Sequence, residues 1–319
     1  MVRALLIGNY GVGNLGDEAL CEAVQSLAPE VSWTVVSARP TARALPRLPA
    51  GLRSFCTTPW WRTLAALRRS DVVVFGGGSL FTDVESWRAC WIWWLHVTAA
   101  RVCGCRILLV FQGIGPLQGS VARWLTASAL RQARHVSVRD EPSAVLALAL
   151  GARDVVQTVD PVLALLPQTS APQPDGPLVL IPRHNVTPAF LAACHQAAQF
   201  GGPVHVVSLQ PDDEQEEIVT RALVAAVPGA TCVPVRTLQE LVAAIMPARQ
   251  VVTQRFHGAL AALALDKPLV IVPQGGGDKL SNLRDIAEGR VPRTTLYDRL
   301  EMGRLAFRQA LGLRDSPSR

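Results

Sequence analysis

Short apolar runs alternate with helical patterns along almost the whole chain, and this alternation restricts the fold more than any other property of the sequence. The runs Ala4–Ile7, Thr34–Ser37, Val72–Phe75, Ile107–Phe111 and His135–Val138 form a first series. Leu178–Ile181, Val204–Ser208, Thr231–Val235, Gln250–Thr253 and Leu269–Val272 form a second. Helical stretches fall between them at Ala19–Leu27, Glu85–Val102, Arg123–Ala133, Pro142–Leu150, Pro188–Phe200, Glu214–Ala226, Leu238–Met246 and His257–Ala264. Strands that are apolar throughout belong in sheets covered on both faces, which are parallel sheets with helical crossovers. A Pro-rich segment, Asp160 to Pro177, separates the two series. The expected fold is α/β: two doubly wound Rossmann-like domains, residues 1–167 and 168–319, facing a cleft lined by the loops after the strands. A chain of 319 residues that is 49% hydrophobic has material for two cores.

Charge narrows the partners. The net charge is +6, and up to Pro167 there are 16 Arg against 11 acidic residues, whereas 15 Lys and Arg face 14 acids after it. A positive first half favours anionic substrates or an anionic membrane surface. Nucleic acid is not expected, because no Lys/Arg run with interleaved aromatics occurs. Seven scattered cysteines read as reduced thiols, and Cys103-Gly-Cys105 lacks the spacing of a zinc or redox hairpin, so no metal is expected. No apolar segment reaches the roughly 20 residues needed to span a bilayer, and Met1 leads straight into a strand. A cytoplasmic location is expected. The segment Trp87–Leu95 holds four of the eight tryptophans. Two readings stand for it: a core helix with Trp87, Trp91, Trp94 and Leu95 on the buried stripe and Trp93 off it, or a patch in contact with the inner face of the plasma membrane.

Chemistry concentrates in the loops after strands. Gly8-Asn-Tyr-Gly-Val-Gly-Asn-Leu-Gly-Asp-Glu18 joins a strand to a helix start, where backbone N–H groups suit an anion, while Asp17 and Glu18 add carboxylates useful towards a hydroxyl-bearing substrate. Gly11–Gly16 matches the dinucleotide fingerprint G-x-G-x-x-G. The second strand nevertheless ends Ser37-Ala38-Arg39, with no acid for a ribose, which leaves only NADP as a dinucleotide candidate. Phe75–Asp83 reads as a strand-to-loop turn with three glycines, Ser79 and Thr82, and Phe111–Pro116 as another. Ser137-Val-Arg139-Asp140 ends a fourth strand with an Arg–Asp pair. In the second half, Arg183 and His184 follow a strand, and Arg255-Phe-His257 marks a strand-to-helix junction. There a planar guanidinium and a helix N-terminus suit carboxylate or phosphate. Gln274–Lys279 reads as a polar loop of the same site.

In this order the motifs resemble the polysaccharide pyruvyl transferase family, and most nearly its branch acting on the secondary cell-wall polymer that anchors S-layer proteins. The matching pieces are Gly11–Glu18, Gly76–Asp83, Gln112–Pro116, Ser137–Ser143, Asp160-Pro161 and Arg255-x-His257, spread from residue 8 to about 280. Phe256 departs from the smaller aliphatic residue expected between Arg and His. The resemblance implies a GT-B-like fold, phosphoenolpyruvate as co-substrate with no other cofactor, and a 4,6-ketal of pyruvate formed on a sugar. In the S-layer branch that sugar is an N-acetylmannosamine on a lipid-linked precursor. It implies donor contacts from Arg183, Arg255 and Ser281 in the second domain and acceptor contacts from Asn14, Glu18, Gly77, Gly78, Ser79, Asp83 and Gln112 in the first. His257 is expected as general acid or as an aid to phosphate departure, and Asp17 as general base. Two other classes fit the same scaffold: a sugar-nucleotide glycosyltransferase or epimerase, in which Glu240 or Asp266 would have to hold the ribose, and a non-catalytic sugar- or anion-binding protein.

Overall fold

A computed structural model of the chain describes residues 1–84, 86–168, 173–273 and 280–313. Outside these lie Glu85, the middle of the Pro-rich segment, the whole Gln274–Lys279 loop and the C-terminal tail. Two parallel sheets form two compact units.

Unit 1 starts with β1 (Arg3–Ile7), α1 (Leu15–Ser26), β2 (Ser32–Ser37), β3 (Ala44–Pro46), α2 (Leu52–Thr57) and α3 (Trp61–Leu67). It continues through β4 (Val72–Phe81), α4 (Trp87–Val102), β5 (Arg106–Ile114), α5 (Ser120–Gln132), β6 (His135–Val138), α6 (Glu141–Ala149) and β7 (Val155–Gln157), followed by a 3₁₀ turn at Pro161–Leu165. The strand order β3-β2-β1-β4-β5-β6-β7 is that of a doubly wound sheet whose order reverses between β1 and β4. Its strands are buried on both faces, which is why they read as unbroken apolar runs: Leu5, Leu6, Ile7, Val73, Val74, Phe75, Leu108 and Leu109 are all solvent-free.

Unit 2 contains β8 (Leu178–Ile181), α7 (Pro188–Ala198), β9 (Val204–Ser208), α8 (Glu214–Ala226), β10 (Ala230–Pro234), α9 (Leu238–Ile245), β11 (Gln250–Thr253), α10 (Phe256–Ala264), β12 (Leu269–Ile271) and α11 (Ser281–Ala287). Its sheet order is β10-β9-β8-β11-β12, all parallel, with the reversal between β8 and β11. The last helix, α12 (Thr294–Leu311), packs from Leu296 onward on unit 1. Phe307 meets Phe111 edge-on at 5.9 Å and stacks near Trp33 at 6.4 Å. The Arg308 guanidinium pairs with Glu30 and donates to the Leu27 carbonyl. Residues 13–19, which include the start of α1, belong to unit 2.

Three expectations need correction. The triple glycine does not follow β4 but lies inside it, and Gln112-Gly113 likewise lies inside β5; both strands run several residues past the apolar core that announced them. The extension carries register shifts, and Phe111, solvent-free and edge-on to Phe307, adopts a left-handed φ of 54 there. The buried stripe of α4 is also rotated. Cys90, Trp93, Val97 and Ala100 face the core while Trp87 is 49% exposed, so Trp93, expected outside, is the innermost of the four indoles. Its ring also carries the Arg47 guanidinium 4.8 Å above it. Large apolar side chains are spread around α4 rather than gathered on one stripe, so packing on the sheet decided the rotation.

Candidate functional site

In open α/β sheets ligands gather at the carboxyl ends of the strands where strand order reverses. In unit 2 that point lies between β8 and β11, and the residues that follow these strands are Arg183 and Arg255. Arg255 is the N-cap of α10 and its backbone N–H donates to Thr253 Oγ1 at 2.9 Å. Its guanidinium is nearly buried: Nε donates to the Pro182 carbonyl (3.2 Å), Nη2 donates to Gln210 Oε1 (3.1 Å), and Nη2 forms an ion pair with Glu216. Burial first, and then the positive charge of Arg183, pull the Arg255 guanidinium down to about 10, with Asp213 opposing. At neutral pH it stays protonated.

Glu216 was not legible as a site residue. It is solvent-free in the first turn of α8, and its Oε1 accepts from Ser208 Oγ (3.0 Å) and from the backbone N–H of Leu209 (2.8 Å) and Gln210 (2.9 Å). The other oxygen takes Arg255. The one sequence signal is the Asp213-x-x-Glu216 spacing after a strand, where Asp213 caps α8 by accepting from Glu216 N–H. Glu216 therefore neutralises one of two adjacent guanidinium groups and fixes it in place, while Arg183 adds a second positive charge beside it. The arrangement is suited to a compact anion.

His257 stands one residue beyond Phe256 in the first turn of α10. The Phe256 and His257 rings meet edge-on at 5.5 Å. Within unit 2, Gly16 lies against the imidazole: a Cβ built on Gly16 would fall 2.2 Å from Cε1 and Nδ1 of His257. Glycine at 258 has a different reason, since a Cβ there would meet Ile181 Cδ1 at 2.7 Å and prevent α10 from packing on β8. Within unit 2, Gly16 thus adjoins the Arg-x-His turn. Asn14 is the cap of α1: its Oδ1 accepts from Gly16 N–H (2.9 Å), and its carbonyl accepts from the N–H groups of Asp17 (3.1 Å) and Glu18 (3.2 Å). Asp17 is half-buried and Glu18 exposed, both in the first turn of α1, where the helix dipole favours carboxylates. Ser281 is exposed at the start of α11.

Unit 1 gathers a second cluster. Arg139, at the end of β6, pairs with the solvent-free Asp160 through Nη1–Oδ2 at 2.5 Å and donates from Nη2 to Ser79 Oγ at 3.2 Å. A Cβ on Gly113 would come within 3.0 Å of Ser79 Oγ and 3.1 Å of Arg139 Nε, so glycine there lets β4, β5 and β6 bring these groups together. The expected Arg139–Asp140 pair is corrected: Asp140 instead caps α6 by accepting from Ser143 N–H (2.8 Å). Other acceptor-side expectations have structural duties. Gly77, at φ 69, is needed where a Cβ would strike Leu20 of α1 at 2.6 Å. Gly78 follows it at φ 76. Gln112 is solvent-free and donates to the Phe75 and Val110 carbonyls. Asp83 accepts from the N–H groups of Gln118 and Gly119 at the start of α5. Of this group Ser79 alone is tied directly to a charged pair.

Both acids that could have held the ribose of a nucleotide sugar are likewise engaged. Glu240 closes a capping box on α9, accepting from Arg236 and Thr237 N–H, and Asp266 pairs with Arg293. Among the described residues, no group of three His, Cys, Asp or Glu side chains is placed to hold a metal ion, and no helix is long and apolar enough to cross a membrane.

Solved structures of similar architecture define the class. HepE of Anabaena, in complex with UDP and glucose, superposes with a TM-score of 0.55 at 12% identity, covering 98% of this chain and 96% of that one. MnaA of S. aureus with UDP gives 0.55 at 12%, covering 100% and 99%. UDP-GlcNAc 2-epimerase of Neisseria meningitidis, bound to UDP-GlcNAc, gives 0.55 at 11%, covering 99% and 95%. At such identities the likeness is one of fold, and the fold is that of the two-unit GT-B glycosyltransferases and epimerases. The family model for polysaccharide pyruvyl transferase matches residues 14–275, and the chain belongs to that family. No curated protein sequence matches it.

Proposed function

We propose that the chain transfers the enolpyruvyl group of phosphoenolpyruvate to a saccharide diol and closes it as a pyruvate ketal, releasing inorganic phosphate. The observation that carries this reading is the pairing of Arg183 with a Glu216-anchored Arg255 at the strand reversal of unit 2, with His257 and the Gly16 turn alongside, in a chain of this family. A donor with a carboxylate and a phosphate requires more than one cation, and a guanidinium fork matches either group.

The reaction balances as follows. A proton adds to the methylene carbon of the donor, turning it into a methyl group and leaving positive charge at C2. One sugar hydroxyl bonds to C2 and gives up its proton. The C2–O bond to phosphate breaks, the second hydroxyl bonds to C2, and its proton leaves with phosphate. We assign the proton delivered to carbon, or to the departing phosphate, to His257. Asp17 is the base towards the sugar hydroxyls and Glu18 orients it. Ser79, held by Arg139 and Asp160, is assigned to the acceptor. The proposed acceptor is an N-acetylmannosamine of a lipid-linked cell-wall polymer precursor, with the 4-OH and 6-OH as the attacking groups.

The test is product analysis. The purified chain is incubated with phosphoenolpyruvate and a lipid-linked disaccharide ending in N-acetylmannosamine, and with UDP-sugars in parallel. Equal amounts of phosphate and ketal are expected; release of UDP with phosphoenolpyruvate untouched would refute the reading.

A further inference from the structure

Between Glu30 and Asp140 the sequence carries 14 arginines and three acidic residues, Asp71, Asp83 and Glu85. Helices α4 and α5 hold four of those arginines and no acid, and they also hold five of the eight tryptophans. Trp93 is spent on the core. Trp91 and Trp94 are half-buried against that core, and Trp87 and Trp124 are exposed. Trp91 stacks on Trp94 with centroids 5.2 Å apart, Trp94 lies 5.9 Å from Trp124, and Trp94 Nε1 donates to Ser128 Oγ at 3.0 Å. Trp87, one turn before Trp91, is 49% exposed and Trp124 is 58% exposed; Val84 and Val121 beside them are 63% and 53% exposed. Arg88 and Arg123 are exposed neighbours of these indoles.

Position adds to composition. α4 follows β4 and α5 follows β5 in a parallel sheet, so the N-terminal ends of both helices lie at the carboxyl edge of the unit 1 sheet. That is the edge of the Ser79–Arg139–Asp160 cluster. Two acids precede α4: Asp83 is engaged by the Gln118 and Gly119 N–H groups, and Glu85 lies outside the described residues. Exposed tryptophans on helices that carry arginines and no acid match the interface of an anionic bilayer, where indoles rest at headgroup depth and each nearby arginine gains from the negative surface potential. A second copy of the chain fits poorly, because the same arginines would face one another across a symmetric contact.

We infer that the outer face of α4 and α5, centred on Trp87 and Trp124 with Arg88 and Arg123, docks on an anionic lipid surface. The docking does not depend on the transfer reaction and is measured without turnover. It does place the acceptor-side edge of unit 1 where a lipid-linked saccharide is presented.

The full chain is tested by co-sedimentation with vesicles of phosphatidylcholine, alone or mixed with phosphatidylglycerol, and by tryptophan emission. Binding and a blue shift are expected with the mixed vesicles only, and both weaken as salt rises. Arg88→Gln with Arg123→Gln lowers partitioning by about 30-fold, from roughly one tryptophan-anchored charge interaction lost at each site. Trp87→Ser with Trp124→Ser abolishes the blue shift, while circular dichroism melting confirms that each variant folds. Failure to bind mixed vesicles, equal binding to neutral ones, or binding untouched by both double variants would overturn the inference. Self-association broken by the Trp87/Trp124 variant would also overturn it, by assigning the face to a second copy.

Discussion

Glu216→Gln is the substitution that interrogates the proposed anion site most sharply. The side chain keeps its shape, but the oxygen facing Arg255 becomes an amide or the amide displaces one of three donors on Oε1. Either way a guanidinium that is 13% exposed loses its countercharge and keeps Arg183 as a like-charged neighbour. Removing one partner of a buried pair costs about 3–5 kcal/mol. With a urea dependence on the order of 2 kcal/mol per molar, the midpoint falls by about 2 M. Amide exchange in peptides of β9 and β11 reads this loss in unit 2 separately from unit 1. Glu216→Gln combined with Arg255→Met replaces the pair with neutral groups and is expected to recover most of the stability, within about 1–2 kcal/mol of the parent. The donor KM stays raised in both variants, because the double variant restores packing without the fork. A Glu216→Gln protein that unfolds at the parental midpoint would refute the argument that this carboxylate holds Arg255.

Other predictions are more local. Gly16→Ala pushes a methyl group into the His257 ring; the ring can turn away, so stability changes by no more than about 1 kcal/mol, while kcat falls at least about tenfold because the proton donor is displaced. Parental turnover in Gly16→Ala would remove His257 from the chemistry. Asp17→Asn is expected to lower kcat by about 100-fold or more, with donor affinity intact, since base catalysis contributes on that order; calorimetric titration of phosphoenolpyruvate separates the two. His96 gives a pH prediction. Its Nε2 accepts from Leu48 N–H (2.9 Å) and Nδ1 donates to the Ile92 carbonyl (2.7 Å), so the ring is neutral, and burial holds its pKa at about 4 against an ordinary 6.5. The folded value is the lower one, so the unfolded chain binds the extra proton first. Stability is complete above pH 6.5 and falls by about 3 kcal/mol as the pH drops towards 4. His96→Gln should flatten this limb in urea titrations at pH 5 and 7.5; an unchanged slope would show that another group carries it.

Much of the scaffold was legible because buried parallel strands are apolar end to end. Leu178–Ile181 announces itself in this way, and Val204–Ser208 and Gln250–Thr253 do so through their apolar middles; they form β8, β9 and β11 with those bounds. The three-residue strands β3 and β7 are too short to show a period, and α12 has a polar face that reads as surface until Phe307 is seen to close the core of unit 1. The glycines of β4 and β5 resemble loop residues because they permit close packing within irregular strands, a tertiary cause invisible to a local pattern. At the candidate site, Arg183, Arg255 and His257 were singled out from their places after strands. Glu216 could not be, since Glu214, Glu216 and Glu217 look alike in sequence and only the fold buries one of them. Asp83, Asn14 and Gln112 were visible as unusual residues, but their caps and backbone hydrogen bonds were not.

The claim on which the account depends is that the strand reversal of unit 2 grips a small, multiply charged enol donor. Calorimetric titration of the full chain with phosphoenolpyruvate, and separately with UDP, measures this directly. The prediction is saturable binding of phosphoenolpyruvate that weakens about 10- to 100-fold in Arg183→Ala, as the loss of one charge-assisted hydrogen-bonding group requires, with no comparable binding of UDP. Tight binding of UDP with no heat from phosphoenolpyruvate, or an Arg183→Ala protein that binds phosphoenolpyruvate as the parent does, would contradict it.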